Sequence, residues 1–519
     1  MAKYKKHSYS QSLFIPVIFN EQIIPGTFEH ALNYIIDNKV DLSIFDGRFK
    51  NDETGAPAYS PAILLKIILY AYSLGIIHSR KIERCCENNV TFIALSANTT
   101  PHFTTIANFI SSLEKEVSDI FLKVLMVCAS ENLIGKNMFA IDGCKLSSNC
   151  SKEWSGTRKD LKKKKKKIEK SIRLILRKHK EKDNNRLFTE DMVEKEQKGL
   201  KKLNEKADRI QRWLDENKKD KIGTRGKPIQ SNLIDNESAK MVSSHGVVQG
   251  YNGVAVADDK HQVVVSANAF GSSAESHQLM ELVDHTRENF SAIGESDDIF
   301  EKSVLLADSG FHSEANVKAI YKAEIDAYIA DNKFRKRDPK FKDANRYKKR
   351  TIDRKHTVKS EKKYFHSSDF TFDPQSKKLI CPEGYEMLFR GYYKKKDGLK
   401  GTTYKGAKEN CCTCTIRKKC LRNANTSKFR QVTLFSNKLS DTNESFTKKM
   451  IEKFDSAKGR HLYSRRMGLI EPVFANIRNM IGTDKFTLRG KKKVNTQWKL
   501  YCIVHNIGKI ARYSNLAVC

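Results

Sequence analysis

The stretch MFAIDG, Met138 to Gly143, decides how this chain is read. Asp-Gly usually marks a hairpin turn, yet the KLSSNCSKEWSG that follows gives no clean returning strand. The alternative is a buried strand that presents Asp142 at its carboxyl end, where α/β sheets commonly hold their chemistry. SVLLADSGFHS, Ser303 to Ser313, has the same form: a fully apolar strand delivers Asp308 ahead of a small-residue turn. Between the two, SSHGVVQGYNGVAVADDKHQVVVSANAF carries β-branched runs joined by DDK and reads as an antiparallel hairpin. SHQLMELVDHTRENF then reads as a helix, ANVKAIYKAE as another and IDAYIAD as a further strand. This order implies an α+β or α/β mixed sheet with helices on its faces.

Upstream, residues 1–135 read as a helical domain. Ser60-Pro61 is a cap with proline at the first helical position, and Ile63, Leu64, Ile67, Ile68, Ala71 and Tyr72 recur at helical spacing until Gly75 closes the turn. Further starts stand at Ser79, at TFIALS and at Thr104. Several short helices suit a helix-turn-helix-like DNA-binding module or, equally, a plain bundle, since no residue marks a recognition helix.

Residues 158–221 are charge-rich and open on RKDLKKKKKKIEK. Ile168, Ile172 and Ile175 form one apolar stripe, and Leu200, Leu203, Ala207, Ile210 and Leu214 another, so two antiparallel helices are expected. The lysine run is either a solvated face or a grip on phosphates. Residues 332–440 read as a basic and Cys-rich insertion with β character. Cys381, Cys411, Cys414 and Cys420 would supply four thiolates, enough for a structural Zn²⁺. Cys412 competes with Cys411 for one place, and Cys85, Cys86 and Cys128 read as ordinary thiols.

Lys and Arg number 95 against 61 Asp and Glu, a formal net charge of +34, which asks for a polyanionic partner. The basic runs lack the apolar partner face of interfacial helices, so nucleic acid is the better reading than a membrane surface. No apolar run approaches a membrane span, and the start has no secretory pattern, so a cytoplasmic protein with its cysteines reduced is expected.

YSRRMGLIEPVFANIR, Tyr463 to Arg478, sets Glu471 among Tyr463, Arg466 and Arg478. One carboxylate cannot hold a catalytic metal. Joined by Asp142 and Asp308, it would complete the usual oxygen-ligand set for Mg²⁺ or Mn²⁺ acting on phosphates. Pro472 disfavours helical angles in the residue before it, so the segment is expected to break near Gly468, with Glu471 at the cap of a new helix. His245, His277 and His312 read as structural or surface histidines.

AIDG, QGYNGVAVADDKHQVVV, LLADSGFHS and YSRRMGLIEPVFANIR, in this order, resemble the DDE transposases of bacterial insertion sequences, and LRGKKKVNTQWKLYCIVHNIGKI resembles the family's ending. The resemblance implies a ribonuclease H-like catalytic core and a triad of Asp142, Asp308 and Glu471 binding Mg²⁺ or Mn²⁺. It further implies Tyr463, Arg466 and Arg478 as the tyrosine-arginine-glutamate-lysine signature contacting DNA phosphates. The activity expected is cleavage and strand transfer of double-stranded DNA, by a homodimer on DNA, with no membrane or small-molecule substrate. A nuclease without strand transfer and a silent DNA-binding derivative are the other readings. Two features depart from the pattern: four residues separate Arg466 from Glu471 where three are commoner, and Arg478 stands where lysine is usual. The expected division is 1–135 helical; 136–157 and 222–331 core; 158–221 helical hairpin; 332–440 insertion; and 441–519 the helical part of the core carrying Glu471.

Overall fold

The structure is a computed structural model describing residues 18–48, 57–182, 190–223, 226–243, 246–295, 298–341, 364–373, 375–394, 400–435 and 446–515. It divides into two compact units, residues 1–220 with 230–330 and 457–519, and residues 221–229 with 331–456. His245 and residues 342–363 of the basic stretch lie outside the described residues.

In the first unit, six helices precede the sheet: α1 (Phe28–Asn38), α2 (Pro61–Ser73), α3 (Ser79–Asn88), α4 (Val90–Leu95), α5 (Phe103–Ser112) and α6 (Glu116–Ser130). Helix α2 starts at Pro61 after Ser60 and is closed by Gly75 at φ +71°. Residues Leu64 to Tyr72 of α2 are buried without a break because α1, α4 and the terminal helix (Lys491–Tyr513) pack round it. Its apolar sequence on every face is thereby satisfied.

The central strands are β1 (Met138–Ser147), β4 (Ala239–Ser243), β5 (Gly246–Asp258), β6 (Val264–Phe270), β7 (Val304–Ala307) and β8 (Asp326–Ile329), with β2 (Ser155–Gly156) and β3 (Ser231–Asn232) as a short separate pair. The order is β4-β5-β1-β7-β8, and β6 also pairs with β5. β1 is antiparallel to β5 and parallel to β7, and β7 is parallel to β8. The sheet is therefore mixed, in a mixed α+β chain. Helices α9 (Leu279–Ala292) and α10 (Glu314–Lys322) follow β6 and β7. Phe139 of β1 meets Phe290 of α9 edge-on, while Trp498 of the terminal helix donates its indole N–H to the Val254 carbonyl at 3.0 Å, so helices cover both faces. The expected hairpin through DDK forms between β5 and β6. The expected antiparallel helices are α7 (Arg158–Lys182) and α8 (Glu190–Glu216), held by Leu161, Ile210, Trp213 and Leu214 against Trp154, Ile168 and Leu233.

Two local expectations are corrected. Asp142-Gly143 neither turns nor ends a strand: β1 runs on to Ser147, paired with β5 all the way. Cys144 and Leu146 are buried on the same face as Met138 and Ala140, so extending the strand keeps a core face buried that a turn would expose. The second correction is at Pro472, where a single helix, the glutamate helix (Ala457–Ala475), passes straight through and continues as a π turn over Asn476–Met480. Proline leaves the carbonyl four residues back without its N–H, at a cost of about 3 kcal/mol in a helix interior. That carbonyl, on Gly468, accepts from Gln262 Nε2 at 3.1 Å, reaching over from the β5–β6 turn. Leu469, Ile470, Val473, Phe474 and Ile477 are buried across the proline, and at about 1.5–3 kcal/mol each they outweigh its cost.

Gln262, at φ +61°, also fixes His505 of the terminal helix. The His505 Nε2–H donates to the Gln262 carbonyl (2.9 Å), and Nδ1 accepts from Asn476 Nδ2 (2.8 Å). Full burial pushes His505 down to about 4, so it stays neutral in the folded protein while the unfolded chain takes up its proton near the ordinary 6.5. Stability contributed by neutral His505 is complete above 6.5 and is lost as pH falls toward 4. Denaturation of His505→Gln and the parent chain across that interval should diverge, the parent losing on the order of 3 kcal/mol more. Parallel curves would show that His505 does not titrate on unfolding.

The second unit holds β9 (Thr371–Asp373), β10 (Lys378–Ile380), β11 (Glu386–Lys394), β12 (Lys400–Gly406) and β13 (Gln431–Phe435) in the antiparallel order β13-β12-β11-β10-β9. Phe370, Leu379, Met387, Tyr404, Val432 and Leu434 make its core, and Cys381 and Cys420 pack on the edge of it.

Candidate active site

The parallel register of β1 and β7 ends on the pair Ile141 and Ala307. Asp142 and Asp308 are the next residue on each chain, so the two carboxylates stand side by side where the parallel pairing stops. Asp142 projects to the face covered by the glutamate helix, where Arg466 Nη1 bonds its Oδ2 at 2.9 Å and the Gly143 N–H bonds its Oδ1 at 2.8 Å. Both partners are nearly enclosed, with side chains 18% and 9% exposed. Burial still holds the Asp142 carboxyl above the usual carboxylate range, Arg466 opposing the rise and the nearby Asp308 adding to it. Asp308 Oδ1 accepts from the Gly310 N–H at 2.6 Å.

The structure brings Arg466 inward, stacked 5.7 Å from the Tyr463 ring, with its Nε left without a hydrogen-bond partner among the described residues. Arg478 lies beside Cys144, two residues beyond Asp142 on the same strand face, and its Nε is likewise buried and unmatched. The π turn contributes to this, because an i+5 winding rotates Arg478 off the line of Glu471. Glu471 itself is exposed, with no hydrogen-bond or ion-pair partner among the described residues. Asp142 and Asp308 are thus brought together, and Glu471 stays on the solvent side of its helix. His277 is exposed and His312 part-buried. Among the described residues no group of three His, Cys, Asp or Glu stands ready to hold a metal.

A carboxylate that the sequence reading passed over does reach this place. Glu275 sits in the turn before α9, and burial together with the charges of Asp308 and Asp142 pushes it up to about 7. The available signal was an acid following the small-residue run Gly271-Ser272-Ser273-Ala274, directly ahead of a helix.

In the second unit, Cys381, Cys411, Cys414 and Cys420 line one cavity of about 30 Å³. Burial raises the Cys420 thiol, Arg430 opposes the rise, and Cys411, Cys414 and Cys381 add to it. Cys412 turns away, its thiol on the Lys428 carbonyl at 3.8 Å. Tyr385 donates its N–H to Cys381 Sγ at 3.3 Å.

Against known families, residues 380–511 match a family described as a transposase DDE domain, and residues 17–112 match one described as a transposase domain. The two matches support a DDE transposase of an insertion sequence. No curated protein matches it. The DDE match takes in the four cysteines, Tyr463, Arg466, Glu471 and Arg478 of this transposase, while Asp142 and Asp308 lie between the two matched segments. No helix among its described residues is long and apolar enough to cross a membrane.

Proposed function

We propose that the transposase binds the ends of its element, hydrolyses a phosphodiester there and transfers the freed 3′-hydroxyl to target DNA. The observation that carries this reading is the placement of Asp142 and Asp308 on adjacent parallel strands. The order β6-β5-β1-β7-β8, antiparallel on one side of β1 and parallel on the other, supports a ribonuclease H-like core. Asp142, Asp308 and Glu471 would hold Mg²⁺ or Mn²⁺. An all-oxygen donor set suits these hard cations, and two like charges set together at partial burial are unfavourable until a cation joins them. When bound, such ions polarise the phosphate and activate the attacking oxygen.

The chain's own groups then act as follows. Arg466 balances the Asp142 charge and, with Arg478 and Tyr463, would meet DNA phosphate where that charge is otherwise neutralised. Glu471, which the resemblance implies as the third ligand, faces solvent on its helix and would have to turn toward the pair to join it. In the first reaction a water oxygen attacks phosphorus and the bond to the 3′ oxygen breaks, the leaving oxygen taking a proton. In the second, that 3′-hydroxyl loses its proton and attacks a target phosphorus, expelling a target 3′ oxygen. The helices of residues 1–135 and the basic segments hold the DNA ends, two protomers pair two ends, and the protein works on DNA in the cytoplasm. Cys381, Cys411, Cys414 and Cys420 would hold a structural Zn²⁺, four thiols round one small cavity being the donor set that metal takes.

The test supplies the full chain with a labelled element-end duplex, a second duplex and Mg²⁺ or Mn²⁺. A nicked end with a free 3′-hydroxyl and its joining to the second duplex are expected. Cleavage without joining would make the protein a metal-dependent nuclease, and binding without cleavage a catalytically silent derivative.

A further inference from the structure

Glu275 has an ordinary explanation, that it caps α9, and the geometry does not support it. Neither the turn Glu275–His277 nor α9 has a side-chain cap hydrogen bond. The carboxylate points instead toward Asp308. A Cβ built on Gly310 would lie 1.9 Å from Glu275 Oε2 and 2.9 Å from Asp308 Oδ1, so both carboxylates crowd the space that glycine leaves open.

A second, independent feature concerns Asn252 on β5, which is fully buried. Its Nδ2 holds Glu275 Oε1 at 3.4 Å and Gln278 Oε1 at 3.3 Å. Its Oδ1 has no hydrogen-bond partner among the described residues and lies against Gly143, 2.7 Å from where a Cβ would stand, beside Asp142. A buried amide oxygen left without a donor is costly, and a cation or its bound water is what such an oxygen can accept. Lys145, opposite Asn252 in the β1–β5 register, bonds the Val242 carbonyl at 3.1 Å, and its charge partly opposes the rise that burial and Asp308 give the Glu275 carboxyl. The carboxylates of Glu275 and Asp308 thus stand together at Gly310, and the amide that carries the orphan oxygen is bonded to one of them, oxygen donors of the kind that hold hard cations.

We propose that Glu275 is a fourth carboxylate of the transposase site and holds the divalent cation together with Asp308. The proposal rests on the reading of Asp142 and Asp308 as cation ligands, and it assigns a role that neither matched segment contains. Glu275 then anchors the ion from the α9 face of the sheet, while Glu471 approaches from the other.

The test is Mn²⁺ binding by the DNA-free full chain, followed by the loss of the free-ion resonance, alongside melting in chelator. Glu275→Gln should weaken Mn²⁺ binding by roughly tenfold or more and, with one like charge removed, melt in chelator at or above the parent temperature. Glu275→Asp, which keeps the charge but withdraws it by one methylene, should bind with intermediate affinity. Asp308→Asn should lose binding as well. Parent-like Mn²⁺ binding by Glu275→Gln while Asp308→Asn fails overturns the role of Glu275 alone. Parent-like binding by both overturns the underlying reading of the site. Lower melting of Glu275→Gln in chelator would mark the residue as structural, again overturning the proposal.

Discussion

Asp308→Asn is expected to lower strand cleavage by roughly a thousandfold or more while leaving DNA binding at the parent level. The reasoning is one of magnitude. A divalent ion at a transferring phosphoryl group contributes several kcal/mol of transition-state stabilisation, and each 1.36 kcal/mol or so is a factor of ten in rate. Asparagine keeps the shape of the side chain and the hydrogen bond from Gly310, but not the charge that draws the ion. Asp142→Asn should have the same effect on cleavage with an added cost in stability. It leaves the enclosed Arg466 guanidinium facing a neutral group, and breaking a buried pair in this way costs up to about 3–5 kcal/mol. Gel-shift binding, cleavage and melting measured on both variants separate the two contributions. Parent-like cleavage by Asp308→Asn would remove that residue from the site.

If the four thiols hold zinc as proposed, stripping it from the second unit should have the next largest consequence. Its core is six residues, Phe370, Leu379, Met387, Tyr404, Val432 and Leu434, on a sheet of five short strands. The described cysteines of this unit are free thiols, so no disulfide reinforces that core. A zinc bound by four thiolates contributes on the order of 10 kcal/mol to folding, so chelation should unfold residues 331–456 while the first unit keeps its own melting transition. Cys414→Ser should act in the same way, whereas Cys412→Ser, whose thiol turns toward Lys428, should be silent. A zinc-free preparation whose second unit resists proteolysis as before would rule out the structural metal.

The sequence carried the larger elements because their signals are local. Pro61 after a cap, the β-branched runs on either side of DDK and the apolar strands ahead of Asp142 and Asp308 each declare themselves within a few residues. What it withheld depends on partners distant along the chain. Pro472 reads as a helix break until Gln262, more than two hundred residues earlier, is seen holding the Gly468 carbonyl. Asp142-Gly143 reads as a possible turn until β5 is seen pairing through it. Arg466 and Glu471 fall on one short signature, yet five residues of helix, at about 100° each, turn them well apart, so one meets Asp142 and the other meets solvent. Glu275 belongs to no motif, and Asn252 sits unremarked inside QGYNGVAVADDKHQVVV; their meeting becomes visible only when the strands are side by side.

The central claim is that Asp142 and Asp308 share divalent ions, and it is tested most directly by anomalous diffraction from crystals of the full chain grown with Mn²⁺. The expected result is a manganese peak bridging the two carboxylates, with Arg466 displaced from Asp142. A peak elsewhere, or none at saturating Mn²⁺ with Arg466 still bonded to Asp142, would contradict it.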